Sequence, residues 1–120
     1  MQIQIIKADN SKEYYTPEKC FILENINAPA DPDLSIARAR VEPGITTVNH
    51  LLKGVTERYL IIEGKGLVEV GGKISAVGPG DLVLIPENTP QKITNTGQSD
   101  LVFYCICTPG FKPECYEAVS

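Results

Sequence analysis

The chain has 120 residues, 42% hydrophobic and 22% charged, with 15 acidic against 11 basic side chains and a net charge of −4. That length supports one domain, residues 1–120, with a core of its own. The acidic balance without a dense Lys/Arg cluster argues against a nucleic-acid partner. No apolar run approaches the roughly 20 residues that a membrane helix needs.

The N-terminal stretch MQIQIIKADNSKEYY has no basic region leading into an apolar segment and a small-residue cleavage site. No signal peptide and a cytoplasmic location are therefore expected. Next come CFILENI (20–26) and, after the turn NAPADPD, LSIARARVE (34–42), both rich in strand formers. In the latter, alternation sets Ala37, Ala39 and Val41 inward and Arg38 and Arg40 outward. TTVNHLL (46–52), RYLIIEG (58–64), GLVEV (66–70), KISAV (73–77), DLVLIP (81–86), QKITN (91–95) and LVFYCIC (101–107) complete the strand-like runs. Gly-rich pairs between them are hairpin signals. The tail GFKPECYEAVS offers one short helical turn at most. Many short strands and no long helical periodicity predict an all-β sandwich or closed barrel.

His50 is the single histidine of the chain. Alternation puts it on one face with Val48 and Leu52, and puts Glu57 on one face with Tyr59 and Ile61. These apolar companions point His50 and Glu57 inward. One His and one Glu inside an apolar barrel suit a small-molecule pocket, or are satisfied polar residues at a barrel mouth with no chemistry. Tyr59 and Tyr104 are candidate wall residues, and Arg58 alternates away from Glu57. Of the four cysteines, Cys105 and Cys107 share one strand face. With no second Cys/His pair at metal-site spacing, they read as small buried thiols, reduced like Cys20 and Cys115.

Gly44, His50, Glu57 and Gly64 stand at the places of the first sequence motif of the cupins, which the chain resembles; Leu52 occupies the place of that motif's second His. Gly80, Pro86 and Asn95 match the second motif in register, with Asn88 for its Gly and Gln91 for its His. The resemblance spans residues 44–95 and implies a cupin-type β-barrel, a jelly-roll-like double-stranded β-helix. It also implies a homodimer, since such proteins pair through N-terminal strands and KCFILENI is an apolar strand that needs cover.

The family's metal is held by two motif-one histidines, the Glu and the motif-two His. Carried over, that leaves His50, Glu57 and Gln91. Three readings stay open. The first is a small polar metabolite bound through a divalent ion (Zn, Mn, Ni or Fe) on that reduced set. The second is metal-free isomerase or epimerase chemistry on a sugar or keto acid, with His50 as general base and Glu57 or Tyr59 as partner. The third is a binding or sensing barrel without turnover.

Overall fold

Alternating apolar and polar side chains along short strands organise the chain into two antiparallel sheets. The computed structural model describes residues 2–119. Its strands are β1 Tyr14–Tyr15, β2 Phe21–Ile26, β3 Ser35–Val41, β4 His50–Leu52, β5 Thr56–Glu63, β6 Gly66–Val70, β7 Lys73–Val77, β8 Leu82–Ile85, β9 Gln91–Asn95, β10 Leu101–Thr108 and β11 Tyr116–Ala118. One sheet has the order β1-β2-β3-β10-β5-β8 and the other β11-β4-β9-β6-β7. No helix among the described residues is long and apolar enough to cross a membrane.

The inward rows of the two sheets meet in the core. Val41, Ile61, Ile85, Ile93 and Leu101 are fully buried there, with Ala39, Tyr59, Val68 and Phe103 packed among them. Each large apolar side chain so buried contributes roughly 1.5–3 kcal/mol. A smaller cluster joins Leu52, Val55, Cys107 and Cys115 to Phe111 and Tyr116. Alternation in β3 runs as expected: Ala39 and Val41 are buried, while Arg38 and Arg40 turn outward to Glu13, with Arg40 Nη2 2.7 Å from Glu13 Oε1.

Two motif residues have structural roles. Gly64 has φ +88°, and a Cβ there would lie 2.8 Å from the Asp100 carbonyl oxygen, so any larger residue would both strain and clash. Buried Asn95 donates from Nδ2 to the carbonyls of Val41 and Ser99, each at 2.8 Å, and accepts from the Gly97 N–H at 2.9 Å. It thereby fastens the β9–β10 connection to the end of β3.

Three details depart from the sequence reading. Residues 46–52 form a strand only at His50–Leu52; upstream, Thr46 makes an isolated bridge to Thr94, and the Val48 N–H bonds to the Glu18 carbonyl. The backbone there serves two different neighbours, so no continuous ladder forms. The tail does contain a helical turn, Pro113–Cys115, but goes on into β11, which pairs with β4. At the β2 edge, the two residues of β1, which no strand-like run announced, pair with Phe21 and Ile22 and leave Leu23–Ile26 without an outer neighbour strand among the described residues.

Candidate functional site

The inner faces of β3, β5 and β10, the short strand β4 between β11 and β9, the segment before β2 and the C-terminal turn enclose a cavity of about 480 Å³. His50, Leu52, Glu57 and Tyr59 all line it, as alternation in β4 and β5 requires. Gln91 lies directly opposite His50 across β4–β9, is buried, and sits behind the wall rather than on it. Tyr104 is on the outer face of β10 and takes no part, because Phe103, Cys105 and Cys107 hold the inward positions.

His50 is nearly fully buried and fixed on two sides. Its Nδ1 lies 2.7 Å from the Val48 carbonyl oxygen. A carbonyl only accepts, so Nδ1 carries a proton, and in the neutral ring the free lone pair is on Nε2. Tyr116 of β11 stacks on the imidazole, with ring centroids 5.0 Å apart and planes at 24°.

Glu57 is 6% exposed, and its Oε1 makes no hydrogen bond among the described residues. Its Oε2 is 3.6 Å from the Cys107 thiol, which donates to it from the facing position on β10. Burial pushes the Glu57 carboxyl above the usual carboxylate range, opposed by the positive charge available at His50 and by the Gln91 amide. Glu18 behaves alike: burial raises it and His50 draws it down. The imidazole therefore acts electrostatically on two carboxyl groups, of Glu18 and Glu57. Tyr59 donates its hydroxyl to Gln91 Oε1, and burial holds its pKa well above the phenol range. Burial also drives the thiols up, Cys20 to about 11, and all four cysteines are free.

This geometry bears on the metal that the resemblance implies. Leu52, in the place of the second His, is buried and has no donor atom. The one ligating oxygen of Gln91 accepts a hydrogen bond from the Tyr59 hydroxyl. Among the described residues, no group of three or more His, Cys, Asp and Glu side chains is placed to hold an ion. What remains is one imidazole and one carboxylate, a donor set that fits a resident divalent ion poorly.

Residues 37–107, well over half of the chain, match the family described as Cupin domain. The chain is a cupin. It is 34% identical over 122 residues to the uncharacterized protein MJ1618 of Methanocaldococcus jannaschii, covering 98% of both chains. It is 31% identical over 70 residues to the oxalate-binding protein of Thermotoga maritima, covering 58% of each. Among solved structures, the nucleoside dehydratase Pac13 of Streptomyces superposes with a TM-score of 0.79 at 16% identity, over 97% of this chain and 92% of that one. At that identity the likeness is one of fold.

Two residues of this cupin's site lacked any signal in the sequence. Glu18 reaches the cavity from a turn in which Lys19 has φ +71°, outside any periodic pattern. Tyr116 reaches it from a strand of three residues, too short to show alternation.

Proposed function

We propose that this cupin binds a small organic metabolite in the barrel cavity, with the ligand's polar group in direct contact with His50 and Glu57 and no resident metal between them. The observation that carries this reading is Glu57 Oε1, buried without a partner on the wall of the cavity. A stranded polar atom of this kind costs roughly 1–3 kcal/mol, which a ligand donor offsets. The oxalate bound by the Thermotoga maritima relative does not carry over readily: a small dianion needs a metal or side-chain cations, and neither Lys nor Arg lines this cavity.

Proton transfer to or from the bound molecule is the second reading, favoured by the tautomer of His50. Nδ1 is held by Val48, and no hydrogen bond to Nε2 forms among the described residues, so Nε2 is free to act as a base. Glu57, on the wall of the same cavity, is its partner in this reading. Tyr59, engaged with Gln91, serves better as wall than as proton carrier.

The reading extends to a reducing, cytoplasmic setting, supported by four free thiols, and to a homodimer. Leu82 and Leu84 on the outer face of edge strand β8, with Ile62 on β5, are exposed apolar side chains suited to a second copy.

The binding claim is tested on chelator-treated protein with a library of amines, sugars, nucleosides and carboxylic acids, read by thermal shift and by NMR of the imidazole. Hits should perturb His50, and both His50→Ala and Glu57→Gln should abolish or weaken them. Hits that leave the imidazole unmoved and survive both substitutions would refute the reading.

A further inference from the structure

We infer that the cavity selects a ligand with a protonated amine on an apolar or aromatic body, and rejects carboxylates and phosphates. This rests on the reading of the cavity as the ligand site and names the chemical class it takes.

The charge inventory of the wall is one-sided. Glu18, Glu24 and Glu57 line the cavity together with His50, and no lysine or arginine does so. The three arginines of the chain are all turned away from it. Arg38 and Arg40 bind Glu13, and Arg40 also reaches Asp100 at 3.1 Å and lies over the Phe21 ring. Arg58 donates to the Thr56 carbonyl and to Thr108 Oγ1. An anion entering the cavity would meet carboxyl groups with no side-chain cation to offset its lost hydration other than a protonated His50.

The unpartnered oxygen points the same way. Glu57 Oε1 is an acceptor that lacks a donor, and an ammonium group has three donors and no acceptor. A ligand carboxylate would bring only acceptors to that point. Much of the remaining wall is aromatic: Tyr14, Phe103, Phe111 and Tyr116, besides Tyr59, present ring surface to the cavity. Ring faces attract cations and pack against flat apolar bodies. The sugar or keto acid expected from the resemblance suits this wall less well, since a sugar lacks the apolar body and a keto acid brings the wrong charge.

The test uses three probes of nearly equal shape: 2-phenylethylamine, 2-phenylethanol and phenylacetate. The single histidine gives one imidazole resonance to follow in NMR titrations of the full chain. The amine should bind tightest and phenylacetate weakest, with a gap of at least about tenfold between them, because the carboxylates attract one and repel the other. Glu18→Gln, a change of nearly equal shape at a partly buried position in a turn, should weaken the amine about threefold or more while leaving the alcohol unchanged within about twofold. Phenylacetate binding as well as the amine and moving His50 would overturn the charge assignment and leave the cavity reading intact. Failure of all three probes at about 10 mM, far weaker than typical metabolite affinities, would also overturn it. In that event, a library hit at His50 would still uphold the cavity reading, whereas an empty screen would end both.

Discussion

The Tyr59 hydroxyl donates to Gln91 Oε1 in the buried interior and ties β5 of one sheet to β9 of the other. Gln91 stands where a metal-binding histidine belongs in the family's motif, yet its oxygen is engaged with a phenol. The bond makes Gln91 a satisfied member of the wall's backing, and it sets the position of the Tyr59 ring against Phe103, whose centroid is 4.5 Å away.

Removing the donor alone should be costly. Tyr59→Phe leaves the Gln91 oxygen buried and unpaired, with an expected loss of roughly 1–3 kcal/mol in urea denaturation. Tyr59→Phe combined with Gln91→Met removes both partners and should cost less than the sum of the two single changes. Simple additivity would show that the two side chains are not coupled in solution.

Glu57 should make the opposite contribution: the folded protein is less stable for having it ionised. Its folded pKa is raised above the unfolded value, chiefly by burial. A group shifted this way contributes stability that is fully present below the unfolded pKa and lost as pH rises through the folded one. Glu57→Gln removes the ionisation while keeping the shape. Paired urea melts at about pH 8 should find the variant more stable by roughly 1–3 kcal/mol, with the gain shrinking toward about pH 4. A variant less stable than the parent at high pH would mean that the carboxylate is well satisfied in the folded state.

Much of this architecture was legible in the sequence because its cause is local. Alternation in ERYLIIE placed Glu57, Tyr59 and Ile61 on one buried face, and alternation in IARARV kept both arginines out. The spacing of Gly44, His50, Glu57, Gly64, Gly80, Pro86 and Asn95 pointed to the family. What stayed hidden depends on contacts between distant segments. The stacking of Tyr116 on His50 joins residues 66 positions apart through a strand too short to signal itself. The Tyr59–Gln91 bond is equally invisible, since alternation says that each side chain points inward but not what each meets there. The acidity of the cavity emerges only once Glu18 and Glu24 are placed beside Glu57.

Outside the barrel, Glu13 should give the acid limb of the stability profile. Its carboxyl is held below the usual range, first by the hydrogen bond from Arg40 and further by the charges of Arg40 and Arg38. A depressed pKa contributes stability above the unfolded value of about 4.5, lost as pH falls through the folded one. Glu13→Gln should therefore cost about 1 kcal/mol near neutrality, in keeping with a partly buried ion pair, and nothing at low pH. Melts of both proteins between neutrality and about pH 3 test this. A pH-independent difference would assign the effect to packing.

This cupin lacks two of the side chains with which its family's motifs hold a metal: Leu52 and Gln91 stand in place of histidines. Leu52 lines the cavity two residues beyond His50 on the same face of β4, and Gln91 faces His50 across β4–β9. Glu57 lines the same space. Leu52→His would put a second imidazole on that wall and Gln91→His a third directly behind it, which with the Glu57 carboxylate make a donor set suited to tetrahedral Zn²⁺. The double variant should bind one equivalent of zinc at least about 100-fold more tightly than the parent, since Leu donates nothing and an amide oxygen is a weak ligand. Isothermal titration of both proteins measures the difference. Adding His50→Ala to the double variant should remove most of the gain, because the site would lose a ligand at its centre. The substitution at Gln91 also breaks the bond from Tyr59, so a melting curve must confirm that the variant folds. A folded double variant with parental zinc affinity would show that positions 50, 52, 57 and 91 do not converge on one point.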